Sequence, residues 1–311
     1  MDAHRIVLRS FETLATNMRL KQIAPIFLAM TTHALALAQY GSPESLKAEM
    51  GQGEDLVFAT TAKPLTESAD LSNAVFLAAV NTQAKSPALV IFHTCGGISQ
   101  HIRVWADAAV IRGYTVLTVD AMRGLGSDCG SPSKISNGRL VKDALDAVAH
   151  LASLPGVDGD RISVIGFSKG GMMASWLASS NVANTLRPAT PLIAASVSAY
   201  AFCGLAPTRG RPQGITIVQP DTDRPLLVLL GGKDTETPPA FCLDLLPKLQ
   251  AAGKPVQWHL YPEATHAWDL AEKDGFSKTD FKGDRVTYKY DPAVTQDTIK
   301  LVFEFLRNPK K

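Results

Sequence analysis

One short stretch in the middle of the chain, Gly166-Phe167-Ser168-Lys169-Gly170-Gly171, constrains the fold more than any other. It follows the apolar, β-branched run 161–165, which predicts a buried strand, and it precedes 172–178, which predicts a helix. A strand, the pattern Gly-x-Ser-x-Gly and a helix are together typical of a nucleophile elbow. The small residues on either side of Ser168 let the strand and the helix approach without a clash. Ser168 is therefore our candidate nucleophile.

Predicted strands alternate with predicted helices along most of the chain, which indicates a mostly parallel sheet with helices on both faces. Two early strands are expected to be antiparallel at a sheet edge, and the lead-in 39–55 is expected to be exposed. We interpret 39–311 as one α/β domain, with 204–224 as a loop rich in proline and glycine. The predicted strands are 56–60, 74–80, 87–93, 114–120, 161–165, 192–197, 226–230 and 256–261, and the predicted helices are 101–112, 138–154, 172–178, 239–252 and 292–306.

The first 38 residues are expected to lie outside this domain. A basic head at 18–21 precedes the apolar stretch 23–38, which is too short and too interrupted to span a bilayer. Small residues at Ala36 and Ala38 suit cleavage after Ala38, so the pattern predicts a secretory signal peptide at 18–38 that starts at Met18. This predicts a periplasmic or secreted protein without a stable membrane anchor. The alternative is an amphipathic N-terminal helix of a cytosolic enzyme.

The charge and the cysteine content indicate which ligands and covalent links to expect. The formal net charge is +2 with no block of like charge, which argues against nucleic acid as a partner. The 4 cysteines are an even number, which in an exported protein predicts disulfides with three possible pairings. None has the C-x-x-C spacing of a zinc site, so we expect no metal. The cysteines are Cys95, Cys129, Cys203 and Cys242.

Three residues that follow predicted strands form the candidate catalytic set, in the order Ser168, Asp234, His266. Functional groups gather outside the carboxyl ends of parallel strands, and this order is the one expected of the α/β-hydrolase arrangement. A serine hydroxyl needs a base to take its proton, and imidazole has a suitable pKa. The histidine in turn needs a carboxylate that fixes its tautomer.

Each member of this set has alternatives. Asp120 and Glu236 compete for the carboxylate role, and Asp234 could instead cap the helix that follows it. His266 could be an ordinary histidine of a surface loop. The other candidate histidines fit less well, because they fall inside predicted elements or near the start of one: His101, His150 and His259.

Acyl transfer also needs hydrogen-bond donors for the developing oxyanion. One donor is expected to be the backbone N–H of Lys169, the residue after the candidate nucleophile. The second is expected from the loop 93–97, where glycines let the backbone turn its N–H toward the site. We favour the N–H of Cys95, with Thr94 and Gly96 as alternatives. The Lys169 side chain is expected to face solvent without a catalytic role.

Several motifs together resemble the dienelactone hydrolase family of α/β-hydrolases over roughly residues 70–308. They are the elbow itself, the segment Gly231-Gly232-Lys233-Asp234, the segment 261–269 with its sequence YPEATHAWD, and the closing segment 290–306. The segment 93–97, with its sequence HTCGG, is similar to exported bacterial members. The resemblance implies an eight-stranded sheet, no cofactor, and hydrolysis of a small-molecule carboxylic ester or lactone. Members that act on dienelactone itself use a cysteine nucleophile, whereas this chain has Ser168, so the resemblance does not imply that substrate.

The strand order of this fold also implies a disulfide pairing. The third and fourth strands are neighbours in it, so Cys95 is expected to pair with Cys129, and Cys203 with Cys242. The expected activity is that of a serine hydrolase with an acyl-enzyme intermediate and a pocket walled by the loops 204–224 and 269–290. Two alternatives are a peptidase similar to prolyl oligopeptidases, although the chain has no propeller repeats, and a non-catalytic binding protein on a hydrolase scaffold. The oligomeric state is left open.

Overall fold

A computed structural model describes residues 40–51, 75–77, 84–122, 125–130, 133–209, 212–280 and 283–309. All of them belong to one compact unit, which spans 40–311. The predicted signal peptide at 18–38 and the predicted strand at 56–60 lie outside the described residues. Within those residues, no helix has the length and apolar character required to cross a bilayer.

The apolar segments form a central sheet of seven described strands, and two short antiparallel pairs lie outside it. The strands are β1 (Val75–Leu77), β2 (Ser86–Phe92), β3 (Thr115–Val119), β4 (Val157–Phe167), β5 (Ser196–Ala199), β6 (Gly204–Leu205), β7 (Ile215–Thr216), β8 (Leu226–Gly231), β9 (Val256–Tyr261), β10 (Ser277–Thr279) and β11 (Arg285–Thr287). The order in the sheet is β1-β3-β2-β4-β5-β8-β9, with only β1 antiparallel to its neighbour. The mostly parallel sheet is thus confirmed, whereas the described residues show seven of the expected eight strands.

Helices cover both faces of this sheet because its strands are apolar on both sides. Along β2, Leu89 and Ile91 face one buried cluster, whereas Val90 and Phe92 face another. The helices are α1 (Pro43–Met50), α2 (Gln100–Val110), α3 (Asn137–Ser153), α4 (Lys169–Trp176), α5 (Ser180–Leu186), α6 (Ala240–Ala251) and α7 (Pro292–Arg307). The first cluster holds side chains of α2 and α7, and the second holds side chains of α1, α3, α4 and α5. The predicted helices on both faces are therefore confirmed.

Three local predictions were wrong. Residues 39–55 are not simply an exposed lead-in, because Ser42 accepts a hydrogen bond from the Ser45 N–H and starts α1, whose Leu46 is fully buried. The strand predicted at 192–197 begins only at Ser196. The predicted loop 204–224 contains the β6–β7 pair. These elements are short or contribute few apolar residues, so their periodicity is weak.

The strand order places a crevice at the carboxyl end of β4. The strand that follows β2 in the chain, β3, lies on one side of β2, whereas the next strand, β4, lies on its other side. Ligands of open α/β sheets bind where the strand order reverses in this way. Ser168 follows β4 directly, Asp234 follows β8 and His266 follows β9, so the three candidate residues reach the same edge.

Candidate active site

Ser168 lies on a turn that the surrounding glycines make possible. Its φ of 52° and ψ of −111° are an unfavourable conformation for a residue with a side chain. A Cβ at Gly166 would lie 2.0 Å from the Gly170 carbonyl oxygen, and one at Gly170 would lie 2.6 Å from the His93 carbonyl oxygen. The Ser168 N–H donates to the Ala199 carbonyl at 2.9 Å, which ties the turn to β5. The sharp turn predicted from the sequence is therefore present, and it depends on glycine.

Asp234 is aimed by a second turn that also requires glycine. A Cβ at Gly232 would lie 2.3 Å from the Pro262 carbonyl oxygen, so the loops after β8 and β9 can approach only because this residue is glycine. The Asp234 Oδ1 accepts hydrogen bonds from the N–H groups of Glu236 at 2.9 Å and Thr237 at 2.8 Å. Helix α6 begins only at Ala240, so Asp234 does not cap it. These contacts fix the carboxylate with its Oδ2 facing His266.

His266 joins the other two candidates in a continuous hydrogen-bonded chain. Its Nδ1 lies 2.8 Å from the Asp234 Oδ2, and its Nε2 lies 3.0 Å from the Ser168 Oγ. The Tyr200 ring packs edge-on against the imidazole at 5.1 Å. Since a carboxylate can only accept, Nδ1 carries the proton and Nε2 is left to accept from the serine hydroxyl. The structure thus brings together all three residues singled out in the sequence.

The surroundings of His266 raise the pKa of its imidazole. Burial by itself lowers the pKa of His266, but the charge and hydrogen bond of Asp234, with a further contribution from Glu236, raise that pKa above its ordinary value. The imidazole is therefore able to hold a proton taken from a neighbouring group. This is the property that a general base needs during the reaction.

The two competing carboxylates lie elsewhere around the site. Asp120 Oδ1 is 3.8 Å from the His93 Nε2 and accepts from the Met122 N–H at 3.0 Å, so it belongs with His93. Glu236 approaches His266 from the opposite side to Asp234, with its Oε2 3.9 Å from Nε2. Of these three carboxylates, Asp234 is the one within hydrogen-bond distance of Nδ1, the nitrogen that an orienting carboxylate must reach. The Thr237 Oγ1 also lies 3.3 Å from Nδ1 and donates to the Asp234 Oδ2 at 2.7 Å.

Glu236 is held by residues from the β10–β11 segment. The Tyr288 hydroxyl donates to its Oε2 at 2.7 Å, and the Lys278 ammonium donates to its Oε1 at 2.8 Å. Burial and the neighbouring Glu236 charge raise the pKa of Tyr288, so its hydroxyl stays protonated and acts as a donor. This network carries no sequence signal, because its members lie 42 and 52 residues apart in the chain.

The two candidate oxyanion donors lie on the segments expected to supply them. Lys169 is the first residue of α4, whose N-terminal N–H groups have no partner within the helix. In the loop after β2, the Gly96 N–H already donates to the Thr94 Oγ1 at 3.1 Å. Among the described residues, neither the N–H of Lys169 nor that of Cys95 has a protein acceptor. Of the loop donors considered, Cys95 is therefore better suited than Gly96.

The Lys169 side chain does not face solvent, so that expectation from the sequence was wrong. It is 12 % exposed, and its Nζ forms an ion pair with the buried carboxylate of Asp128. The same Nζ lies 2.5 Å from the Ser133 Oγ. Asp128 comes 41 residues earlier in the chain, so no local pattern could reveal this partner.

Both predicted disulfides are confirmed. Cys95 bonds to Cys129 with a Cα–Cα distance of 4.9 Å, and Cys203 bonds to Cys242 with a Cα–Cα distance of 5.2 Å. The first joins the candidate oxyanion loop after β2 to the segment after β3, which are neighbouring strands as expected. The second joins the segment after β5 to α6.

A cavity of about 260 Å³ lies over Ser168 and His266. One wall is the segment Thr94–Gly97 with the Cys95–Cys129 disulfide, and the other comes from 270–288, as predicted for the loop 269–290. No described residue of 204–224 lines it, which contradicts the prediction for that loop. The side chains of the second wall are Leu270, Lys273, Phe276, Lys278 and Tyr288. A larger cavity of about 750 Å³ lies near Tyr114 and Arg161, at the opposite ends of the strands, so size alone does not locate the site.

A further buried carboxylate, Asp269, supports the site from behind and was not identified from the sequence. It accepts from the Tyr200 hydroxyl at 2.7 Å and from the Trp105 Nε1 at 2.8 Å. Tyr200 in turn packs on His266. The only available signal was its position three residues after the candidate histidine. Within the described part of the chain, no cluster of three or more His, Cys, Asp or Glu residues is arranged to hold a metal ion.

The parallel sheet with its switch point, the strained serine turn and the hydrogen-bonded Ser168, His266 and Asp234 define the α/β-hydrolase class. Comparison with known proteins narrows this class. Residues 74–309 match the sequence profile of the dienelactone hydrolase family. The chain belongs to that family, as the motifs in its sequence indicated, and is a hydrolase of carboxylic esters.

Individual relatives agree with this assignment. A protein of Salmonella typhimurium assigned as a carboxymethylenebutenolidase is 23% identical over 262 residues, which cover 81% of this chain and 93% of the relative. A crystal structure assigned as a dienelactone hydrolase of Klebsiella pneumoniae superposes with a TM-score of 0.57 at 20% identity, covering 76% of this chain and 92% of that one. Thermogutta terrifontis esterase 2, solved phosphorylated by paraoxon, superposes with a TM-score of 0.54 at 16% identity, covering 75% and 87%. At these identities the two structures support the fold alone.

Proposed function

We propose that this protein cleaves a carboxylic ester or lactone by a serine-dependent reaction with an acyl-enzyme intermediate. The observation that carries the proposal is the unbroken chain from the Ser168 Oγ through both ring nitrogens of His266 to the Asp234 carboxylate. In the first step, His266 Nε2 takes the hydroxyl proton while Ser168 Oγ forms a bond to the carbonyl carbon. His266 then returns the proton to the departing alkoxide oxygen as its bond to carbon breaks.

Water completes the cycle by the same route. His266 takes a proton from a water molecule whose oxygen attacks the acyl carbon, and Ser168 leaves with that proton as the free acid is released. Asp234 supports both half-reactions, because its charge stabilises the imidazolium that forms in each. No cofactor is needed for this chemistry. For a lactone, the alkoxide stays attached to the acyl group, so a single hydroxy acid is the product.

The tetrahedral intermediate of each step carries a negative oxygen. We assign its stabilisation to the backbone N–H groups of Cys95 and Lys169. Cys95 lies on the loop after β2 and lines the same cavity as Ser168, and Lys169 follows Ser168 at the start of α4. The N-terminus of α4 adds a favourable dipole. Loss of one such donor costs about 10²–10³ in turnover in a well-studied serine enzyme.

Two other functions would use the same scaffold. A peptidase would share the nucleophile and base, so the distinction lies in the substrate. A non-catalytic binding protein is disfavoured by the three intact side chains and by their hydrogen-bond geometry. Parallel assays with p-nitrophenyl acetate and an amino-acid p-nitroanilide separate the three functions, because only the ester should be turned over.

The decisive variant is Ser168→Ala, assayed with p-nitrophenyl acetate and with a fluorophosphonate label. We expect turnover to fall by about three orders of magnitude or more, because removing the nucleophile of a triad has such an effect. Covalent labelling should be lost in the same variant. The matched control is Ser153→Ala, at the end of α3, which should retain both. Retention of more than a tenth of the wild-type turnover by Ser168→Ala would refute the assignment.

We also propose that the mature protein works in the periplasm or outside the cell. Two disulfides support this compartment, since such bonds persist mainly under oxidising conditions. The test is fractionation of the producing cells, followed by N-terminal sequencing of the protein found in each fraction. The predicted mature chain begins at Gln39. An intact N-terminus on protein confined to the cytoplasm would contradict the proposal.

A further inference from the structure

A buried ion pair connects the two segments that carry the proposed oxyanion donors. Lys169 begins α4, and its ammonium contacts the Asp128 carboxylate. The backbone N–H of Asp128 donates to the Cys95 carbonyl at 2.8 Å, and the next residue, Cys129, is bonded to the Cys95 sulfur. A single path of contacts thus runs from one donor residue to the other.

The Asp128 carboxylate is a firm anchor for this path. Its side chain is 1 % exposed. Besides Lys169, it accepts hydrogen bonds from the Ser133 Oγ at 2.6 Å and from the N–H groups of Lys134 at 2.6 Å and Ile135 at 3.2 Å. Burial would raise the pKa of Asp128, but the hydrogen bonds from Lys169, Ser133 and these two N–H groups outweigh it and lower the pKa to about 2. The carboxylate therefore stays ionised near neutral pH.

The loop that carries Cys95 is rich in glycine, and contacts from outside it set its position. Gly96 and Gly97 follow Cys95, and glycine leaves the backbone free to adopt several conformations. Gly97 has a φ of 85°, which few other residues adopt. By contrast, Lys169 is held in place by the elbow and by α4. Within the loop, the Gly96 N–H donates to the Thr94 Oγ1 and the Gly97 N–H donates to the Thr94 carbonyl at 3.2 Å, so the turn has a defined shape. The position of that turn relative to α4 is set by contacts outside it, including the bond from the Asp128 N–H to the Cys95 carbonyl.

We propose that the Lys169–Asp128 ion pair is a positioning device that sets the spacing between the N–H groups of Lys169 and Cys95. The inference rests on the proposed function, because it assigns a task to the side chain of a residue whose backbone serves the oxyanion. Lys169 then acts twice, donating through its main chain and aligning the second donor through its ammonium. The Cys95–Cys129 disulfide and the Asp128 N–H transmit the alignment to the loop.

The test uses Lys169→Met and Asp128→Asn, singly and together, in the full-length protein. Turnover and KM are measured with p-nitrophenyl acetate, and the inhibition constant is measured for an alkyl trifluoromethyl ketone. The Ser168 oxygen bonds to the carbonyl carbon of this ketone while His266 Nε2 takes the hydroxyl proton, which leaves a hemiketal whose former carbonyl oxygen is negative. The affinity of the ketone therefore reports the oxyanion donors directly. Lys248→Met is the matched control, because it removes the lysine of an exposed pair with Asp244.

We expect each single variant to lose about 10- to 100-fold in turnover, because one donor is displaced but not removed. KM should change little, and the ketone inhibition constant should rise in proportion to the loss of turnover. The double variant should be no worse than the single variants, since all three break the same contact. The control should behave as wild type in each measurement.

Three outcomes would overturn the inference. One is wild-type turnover in folded Lys169→Met and Asp128→Asn. Another is reduced turnover without weaker ketone binding. The third is loss of folding in both variants while Lys248→Met folds normally, which would make the pair purely structural. Ser168→Ala is assayed in parallel to distinguish failure of the proposed function from failure of the positioning role. If Ser168→Ala remains active, the proposed function is wrong. If Ser168→Ala is inactive while Lys169→Met is fully active, only the positioning role is rejected.

Discussion

Replacing Asp234 by asparagine tests which carboxylate orients His266, and the structure indicates the result. The introduced asparagine would occupy the same space, and its side-chain oxygen would keep the two hydrogen bonds that the Asp234 Oδ1 now accepts from Glu236 and Thr237. Those N–H groups can be satisfied only by an oxygen. The amide nitrogen would then occupy the Oδ2 position, 2.8 Å from the His266 Nδ1.

This arrangement selects the wrong tautomer of the imidazole. An amide N–H facing Nδ1 requires that nitrogen to be unprotonated, so the proton moves to Nε2. A protonated Nε2, 3.0 Å from the Ser168 Oγ, cannot take the hydroxyl proton. The same Asp-to-Asn change lowered turnover by about 10⁴ in a different triad enzyme, with the geometry intact. We expect a loss of about that size here, because the Asp234 Oδ2 lies 2.8 Å from Nδ1 and fixes the tautomer by the same hydrogen bond.

The assay is ester hydrolysis over a range of pH, with Glu236→Gln as the matched control two residues away. Glu236 contributes to the raised pKa of His266, and removing a negative charge lowers the pKa of a neighbouring imidazole. Activity requires the neutral ring, so the acid limb of the pH profile should move to lower pH in Glu236→Gln. Its maximal turnover should stay within about tenfold of wild type, since its carboxylate does not reach Nδ1.

One pattern of results would refute this reasoning. It is near wild-type activity in Asp234→Asn together with collapse of activity in Glu236→Gln or in Asp120→Asn. The third member of the site would then be misassigned, although Ser168 and His266 would stand. Retained thermal stability in all three variants is the control that makes the comparison valid.

Three further predictions concern the frame of the site. Gly170→Ala should lower both turnover and melting temperature, because its Cβ would lie 2.6 Å from the His93 carbonyl oxygen and such overpacking costs about 1–3 kcal/mol; unchanged values would contradict the tight elbow. Replacing both Cys203 and Cys242 by alanine should lower the free energy of unfolding by about 4 kcal/mol for a loop of 39 residues, with turnover retained below the melting temperature; denaturant unfolding measures it. The pKa of Asp128 is lowered to about 2, so its contribution to the free energy of unfolding is present above its unfolded pKa and is lost as the pH falls toward 2. In Asp128→Asn the free energy of unfolding, measured by denaturant unfolding, should therefore depend less on pH below about pH 4.

The main elements and the candidate residues were predictable because their signals are local. The run 226–230 is apolar throughout and is followed by two glycines, which indicates both a buried strand and a tight turn toward Asp234. The structure shows the same strand one residue longer and the same turn. The elbow is likewise encoded by consecutive residues, so its glycines, strand and helix could be identified together.

What the sequence did not reveal is set by contacts between distant segments. The β10–β11 pair has three residues in each strand and little apolar periodicity, yet it supplies Lys278 and positions Tyr288 against Glu236. Helix α1 was missed for a similar reason, since only two of its 8 residues, Pro43 and Leu46, are buried. In both cases the element is stabilised by neighbours that a sequence pattern does not contain.

Lys169 combines a feature that the local sequence predicts with one that depends on a distant segment. Its proposed backbone role follows from its position directly after Ser168, because the chain fixes where that N–H lies once the elbow is formed. The position of its side chain is set instead by Asp128, which follows β3 and lies close to Lys169 because β3 and β4 lie on either side of β2. Charged side chains usually face solvent, but a buried partner of opposite charge can reverse that preference, as it does for Lys169 beside the proposed nucleophile. In this protein the reversal places a fixed charge pair beside the two proposed oxyanion donors, where alignment has the greatest effect on the rate.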